Sequence, residues 1–499
     1  LSEDIAMKTK TKPATVVRPV FRELSADLET PVSVFLKLRN SGPCFLLESV
    51  EKGEQLGRYS FIGTNPSVVL KSSGNRAEIA RGGKVEVVPL GPPMSGPDIL
   101  HVLKKLLAER HVETVPGLPR FFGGAVGYIG YDVVSFFDKV KSPEKDEVGV
   151  PSSVFMITDT LVIFDHVSQK MKIVANVPAG AEKEAHEKID AVIARIEGPI
   201  PQERLGHSNG HSSEAEFQSN FSKEAYMEAV DKAKEYIKAG DAFQIVLSQR
   251  LQKKTSAEPF SIYRALRMLN PSPYMFFLDF QDFQLIGSSP EMLVKLEGGQ
   301  AETRPIAGTR PRGATDEEDK AIIADLLADP KERAEHTMLV DLGRNDLGRV
   351  CKFGTVRVPA YMTTEKYSHV IHIVSSVTGE LKPNYDSYSL VRASFPAGTL
   401  SGAPKIRAME IIAELEKTQR GPYGGAVGYF GFTGNMDTCI TIRTIVMKGN
   451  TVYLQGGAGL VADSDPETEY HESLRKIQAL KEAVRLAEGK AQPAASSAY

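Results

Sequence analysis

The sequence predicts an α+β fold in which large, mainly antiparallel β-sheets pack as a sandwich with helices outside. Runs rich in β-branched and aromatic residues, bounded by Gly, Pro or Asp, recur at Val154–Phe164, Ala242–Leu251, Val370–Val377, Cys439–Met447 and Thr451–Gln455. They do not alternate strictly with helical segments, which disfavours a doubly wound parallel sheet. The hexapeptide GGAVGY occurs at Gly123–Tyr128 and again at Gly424–Tyr429. Such a small-residue segment lets another backbone or a ligand approach closely. A duplicated hairpin on two facing sheets would produce the echo; chance in a glycine-rich chain is the alternative.

Taken in order, residues 1–15 are polar and unpatterned and read as a disordered tail. An N-terminal region, 16–197, closes with a charged helix near Glu182–Glu197. Residues 198–215 read as a linker, because GPIPQERLGHSNGHSSE has no apolar periodicity and is rich in Pro, Gly and Ser. A C-terminal region, 216–489, begins with a helix starting at Ser222, in which Tyr226, Val230, Ala233 and Ile237 form one buried stripe and Gly240 provides the stop. Asp329-Pro330 opens a further helix with an N-cap aspartate and a proline at the first position, and Asp465-Pro466 opens the last helix in the same way. In that last helix Leu474, Ile477, Leu480, Val484 and Ala487 make an apolar stripe. Residues 490–499 read as a second disordered tail.

Sixty basic against sixty-three acidic side chains leave a formal charge of −3 over 499 residues. That balance gives no field for nucleic acid or an anionic membrane surface. No apolar run approaches the ~20 residues that span a bilayer, and the basic opening residues are followed by no apolar signal core. Cys44, Cys351 and Cys439 form no CxxC or CxxH pair, which fits a reducing cytoplasm and neither a disulfide framework nor a structural zinc.

Three groups of residues carry candidate chemistry. Glu332 and Glu335 lie three apart on one helix, and Glu469 and Glu472 three apart on another, with Lys476 four beyond. Such pairs are commonly solvated faces; if they converge, they form an oxygen-rich, incompletely filled site suited to Mg²⁺. Arg443 falls in the strand run CITIRTI. Gln455-Gly456-Gly457-Ala458-Gly459 reads as the end of the next strand in a loop whose N–H groups can take a carboxylate, with the arginine clamping another. The combination suggests a substrate with more than one carboxylate. Proton-transfer candidates are His372 in the run VIHIV and Glu291 in a Ser-Ser-Pro turn; a satisfied core histidine and a turn carboxylate are equally compatible with those positions. Gln244 shares a strand face with Ser248 and Arg250, where a neutral amide could touch substrate.

Five long motifs then bear a resemblance. RPIAGTRPRG (Arg304–Gly313), AEHTMLVDLGRNDLGRV (Ala334–Val350), GTLSGAPKIRAMEII (Gly398–Ile412), GPYGGAVGYF (Gly421–Phe430) and QGGAGLVADSDPETEYHE (Gln455–Glu472) resemble the chorismate-utilising enzymes, above all those of the anthranilate synthase component I type. The match runs from roughly residue 20 to 488. The resemblance implies that Glu335 and Glu472 bind Mg²⁺ with Glu332 and Glu469 beside them, and that the metal holds the ring carboxylate of chorismate. It implies that Arg443, Tyr429 and the Gly457-Ala458-Gly459 backbone hold the enolpyruvyl carboxylate, with Lys476 adding positive charge and Thr309 and Thr399 lining the pocket. Glu291 resembles the general acid for the departing C4 hydroxyl, and His372 the histidine of the later pyruvate elimination.

Two positions discriminate among sister reactions. Relatives that make aminodeoxychorismate typically read PIKGT with a nucleophilic lysine, where this chain has Ala307. Isochorismate and salicylate synthases usually place a water-activating lysine where Gln244 stands, and glutamine is a poor base. No Gly-x-Cys-x-Gly elbow is present, so a separate glutamine amidotransferase is implied as ammonia source; the resemblance further implies a heterotetramer of two such pairs. LLES (Leu46–Ser49), GRYSFIG (Gly57–Gly63) and NPSPYMFF (Asn270–Phe277) resemble the family's L-tryptophan feedback site. Glu48 and Ser49 would meet the ligand's ammonium or nearby backbone, and Pro271, Tyr274 and Met275 would pack on its indole; a purely structural inter-sheet contact is the alternative. A non-catalytic tryptophan-sensing scaffold is a further reading, against which stand Glu335, Glu472, His372, Thr399 and Arg443. A nucleotide binder would need a GxxxxGK[ST] signature, which is absent.

Overall fold

The computed structural model describes residues 14–49, 57–201, 216–366 and 370–489. Most of the two expected tails and of the expected linker lie outside these residues; Thr15, assigned to the tail, instead opens the strand Thr15–Ser25. Two sheets of thirteen and twelve strands pack face to face. Every pairing is antiparallel except the short parallel contact of Thr15–Val17 with Arg110–Val112. Between the sheets lies a core containing Phe45, Val126, Tyr128, Met156, Ile163, Phe276 and Phe283. Helices Pro31–Leu38, Glu182–Glu197, Pro259–Leu269 and Gln478–Ala487 cover the outside of one sheet, while Ile99–Ala108, Pro330–Val350 and Ser387–Ser394 cover the other. The predicted sandwich is therefore present, as four layers.

Local expectations fail where the chain passes between sheets. Val154–Phe164 is not one strand: Ser153–Thr158 belongs to the smaller sheet and Thr160–Asp165 to the larger. Likewise Cys439–Met447 divides into Met436–Ile440 and Thr444–Lys448, in different sheets. A continuous apolar run looks the same whether it stays in one sheet or steps into the facing one, so the pattern hides the step. Arg443 sits at that step with φ +49° rather than inside a strand. Glu291 sits at another, between Phe283–Ser289 and Met292–Glu297. The last helix is also two, Pro466–Arg475 and Gln478–Ala487, parted at Lys476 and Ile477.

The repeated hexapeptides do not face one another across the sandwich. They are neighbouring antiparallel strands of the same sheet, with Gly127 directly opposite Gly428, its counterpart in the repeat. The same doubling extends further. FIGTNPSVVL (Phe61–Leu70) and LIGSSPEMLV (Leu285–Val294) align, and each crosses from the larger sheet to the smaller at its proline. Residues 16–197 and 216–489 thus each supply strands to both sheets and repeat one plan around a local two-fold axis.

Candidate active site

The helix Pro330–Val350 starts where sequence places it. Asp329 caps it by accepting from the N–H groups of Lys331 and Glu332, which aims Glu332 and Glu335 from its first turns. Helix Pro466–Arg475 is capped by Asp465 through Thr468 N–H and presents Glu469 and Glu472. Acids of both helices lie within the electrostatic reach of the same two lysines. The ammonium of Lys476 bears on Glu335, Glu469, Glu472 and Glu291, and Lys331 bears on Glu335, Glu469 and Glu472. Lys476 pairs directly with Glu472 at 2.8 Å, drawing that carboxyl below its ordinary range against the opposing effect of burial. Burial raises Glu335 and Glu469 instead. Each acid is engaged differently: Arg310 Nη1 donates to Glu332 at 2.8 Å and Gln244 Nε2 to Glu335 at 3.1 Å, while Glu469 Oε2 is buried without a hydrogen-bond partner. Among the described residues no three acidic side chains close to metal-ligand spacing.

The glycine segment is corrected by the structure. Gly456–Gly459 is not a loop but the end of the strand Thr451–Leu460, paired through Gly457 opposite Ser248 and Gly459 opposite Val246. On the other side of that strand, pairing with Thr444–Lys448 stops at Leu454, so beyond it that edge of the glycine segment has no strand neighbour. Glycine makes room at all three positions: a Cβ at Gly456 would lie 2.7 Å from the Ser473 carbonyl oxygen, one at Gly457 would lie 2.5 Å from the Leu247 carbonyl oxygen and 3.0 Å from the Tyr423 hydroxyl, and one at Gly459 would lie 2.6 Å from Gln244 Nε2.

Glu291 receives a hydrogen bond from Thr399 Oγ1 at 3.2 Å. Burial pushes its carboxyl up; Thr399, then the charges of Arg443 and Lys476, oppose that shift. His372 lies opposite Thr309 in register, with Nδ1 2.9 Å from Thr309 Oγ1 and 3.3 Å from the Gly308 carbonyl oxygen. Burial lowers its pKa, aided by the charge of Arg443. Arg443 therefore bears on both proton-transfer candidates. A cavity of about 50 Å³ opens beside Glu291 and Thr399 and runs along the helix past Leu339 and Gly343 to Asp346.

Tyr429 is the expected site residue that the structure does not bring to this group. Its ring stacks on Phe121 at 4.2 Å between the sheets. Tyr423, which sequence reasoning missed, takes the place beside Gly457; its titration feels Arg443 and Glu291, and burial pushes it up to about 12. Both tyrosines belong to one motif, GPYGGAVGYF, and the signal that separates them is the turn before the strand Ala426–Gly431.

The segments assigned to an effector site also meet. Glu48 lies opposite Met275 in adjacent strands, and the Ser49 hydroxyl is buried without a partner. Glu48 is already held by the Tyr263 hydroxyl at 2.5 Å and by Arg267 Nε at 3.0 Å, and Tyr274 donates to Asp437 at 3.1 Å. Pro271 lies in the short connection just before the strand Tyr274–Asp279. Among the described residues no helix is long and apolar enough to cross a membrane.

The family model for chorismate binding enzymes matches residues 42–482. Anthranilate synthase component 1 of Acetivibrio thermocellus is 49% identical over 476 residues, covering 93% of this chain and 95% of the relative. That of Aquifex aeolicus is 49% identical over 478 residues, covering 95% of each. The crystal structure of anthranilate synthase component I from Streptococcus pneumoniae superposes with a TM-score of 0.76 at 35% identity, covering 92% of this chain and 98% of that one. The menaquinone-specific isochorismate synthase of Escherichia coli, at 17% identity and a TM-score of 0.69, shares the fold. With the family model matching residues 42–482 and relatives matched over nearly their whole length, the chain belongs to the chorismate-binding enzymes, in the group of anthranilate synthase component 1.

Proposed function

We propose that this enzyme aminates chorismate at C2 with ammonia, expels the C4 hydroxyl and then eliminates pyruvate to give anthranilate, the first step of tryptophan biosynthesis. The observation that carries the reading is the reach of Lys476, whose charge bears at once on Glu291, Glu335, Glu469 and Glu472, so that the proton-transfer carboxyl and acids from both helices share one cation. Mg²⁺ suits the donors, all of them carboxylate oxygens, and the buried, unpartnered Glu469 Oε2 supports a cation there. Glu335 and Glu472 would hold it, with Glu332 and Glu469 beside them. When bound, Mg²⁺ supplies the charge that lets a carboxylate enter among acids that would otherwise repel it by about 4 kcal/mol per pair at ~4 Å.

This chain's own residues divide the remaining work. Arg443 and the open edge of the glycine strand take the enolpyruvyl carboxylate, with the Tyr423 hydroxyl alongside. Burial keeps Glu291 protonated at higher pH than an ordinary carboxyl, so it can give its proton to the departing C4 hydroxyl, which leaves as water. Burial also keeps His372 neutral, and a proton on Nδ1 shared with the Gly308 carbonyl makes Nε2 the basic nitrogen for the elimination step. Gln244 offers an amide to Glu335 and no base to water, which favours ammonia as nucleophile over the isochorismate reaction. Ala307, in register with Ile373, offers no nucleophile of the aminodeoxychorismate type.

The ammonia source is a glutamine amidotransferase partner, in a cytoplasmic heterotetramer. L-Tryptophan inhibits from the cleft at Glu48, Ser49 and Met275. A short link supports that coupling: Ser288, bonded to Ser272 and Asn270 beside the cleft, is three residues from Glu291. The test is purified chain with chorismate, ammonium and Mg²⁺, with and without L-tryptophan. Anthranilate is the expected product, and isochorismate or aminodeoxychorismate would overturn the reading.

A further inference from the structure

Arg420 is a buried arginine whose guanidinium makes four hydrogen bonds. It donates through Nε and Nη2 to both oxygens of Glu416 at 2.8 and 2.6 Å, through Nη1 to the Leu400 carbonyl at 2.6 Å, and through Nη2 to the Val246 carbonyl at 2.7 Å. It also lies over two aromatic rings, with its guanidinium carbon 4.6 Å from the Tyr131 ring centre and 5.7 Å from that of Tyr423. An ion pair this deep is poor evidence for a stability role, because desolvation consumes most of the attraction. The bonds themselves indicate another one.

The strand Gln244–Lys254 has an incomplete edge. Gly402–Ala403 pairs with its start, at Gln244 and Ile245, and Gln218–Ser219 pairs with Leu251 and Gln252, leaving Val246–Arg250 without a strand partner on this edge among the described residues, although their other edge pairs with Gln455–Gly459. Buried backbone groups in such a gap must be satisfied. Arg420 and Glu416 fill it as a side-chain substitute for a strand: Arg420 takes the Val246 carbonyl, and Glu416 Oε1 accepts from Ser248 N–H at 2.8 Å and Ser248 Oγ at 2.9 Å. The same guanidinium grips Leu400, the residue after Thr399. One planar group thus locks the turn carrying Thr399, the strand carrying Gln244, and the ring of Tyr423 into one frame.

We infer that Arg420 is a positioning residue for the chorismate reaction, setting the placement of Thr399 against Glu291 through its bond to the Leu400 carbonyl. The inference rests on the roles proposed above for Thr399 and Glu291. Lysine cannot reproduce it, since a single ammonium lacks the fork that reaches four acceptors in three directions.

The test is the R420K chain, alone and combined with T399V, assayed with chorismate, ammonium and Mg²⁺. We expect R420K to lower kcat by about 100-fold while chorismate KM moves less than about threefold, as for an interaction made chiefly in the transition state. The alkaline limb of its pH profile should move upward, because loss of the Thr399 hydrogen bond removes an influence that lowers Glu291. In the T399V background the further loss should be under about threefold, the signature of two residues acting through one contact. Additive losses with an unshifted pH limb would reduce Arg420 to a structural residue and overturn the inference. Should R420K not fold, S248A, which removes one of the bonds orienting Glu416, must show the same pH shift and the same coupling to T399V on a smaller scale. If T399V alone leaves turnover unchanged, the role given to Thr399 fails and this inference falls with it. If T399V is damaging but R420K is additive, only this inference fails.

Discussion

Glu335→Gln keeps the shape of the side chain and an acceptor for Gln244 Nε2 while removing one charge from the acid cluster. Two unit charges ~4 Å apart at an effective dielectric near 20 interact by about 4 kcal/mol, and a divalent ion doubles that. If desolvation offsets three quarters of the gain, about 2 kcal/mol survives, which weakens Mg²⁺ binding roughly 30-fold. The fold should respond in the opposite direction. Burial, reinforced by Glu332, raises Glu335 above the ordinary carboxylate range, against the hydrogen bond from Gln244. The folded state therefore holds this proton more tightly than the unfolded chain. Stability of the metal-free protein falls as pH rises from the ordinary carboxylate value through the raised one. The glutamine variant escapes that loss and should melt at the same or a higher temperature at neutral pH. Calorimetric titration with Mg²⁺, thermal melts of metal-free protein across that pH range, and amination of chorismate together decide the matter. Unchanged Mg²⁺ affinity with near-parental turnover in E335Q would refute the metal assignment.

Glu291→Gln should lower kcat by about 10²–10⁴-fold, the usual worth of a general acid; the parent rate should fall as pH rises through the raised Glu291 value, and the variant should lack that limb. Tyr423→Phe should raise chorismate KM by roughly 10-fold, for loss of one hydrogen bond to a charged group, whereas Tyr429→Phe should stay within about twofold because its ring sits in the inter-sheet core; steady-state kinetics with chorismate as the varied substrate separates the two. Ser49→Phe should abolish inhibition by L-tryptophan while leaving ammonia-dependent turnover intact. The chain has no tryptophan of its own, so direct fluorescence titration of the ligand reads binding separately from rate.

What was legible in the sequence is what depends on neighbours along the chain. Asp329-Pro330 and Asp465-Pro466 announce helix starts because caps are local, and both helices begin there. The acid pairs follow from helical spacing, whereas the reach of Lys476 and Lys331 to acids of both helices depends on how those helices pack. What was hidden depends on which sheet a strand joins. Glu291 and Arg443 owe their positions to steps between sheets, and a step leaves no trace in hydrophobic pattern. The glycine segment was read as a loop because glycine is common in turns, yet here it makes room for Gln244 and Tyr423 within a strand. Arg420 carried no sequence signal, since a lone arginine after a helix looks like any surface cation.

The crossing of the two GGAVGY strands at Gly127 and Gly428 has a historical meaning. A polypeptide half as long, associating with its own copy about that axis, would have built both layers from identical subunits and carried two equivalent reaction centres. Joined in one chain, the copies would no longer have to stay alike. Ser67 now stands where the other half keeps Glu291, with a hydroxyl in place of an ionisable group. On the roles proposed above, one half would keep the chemistry while its twin contributes Glu48 and Ser49 to the cleft beside Met275.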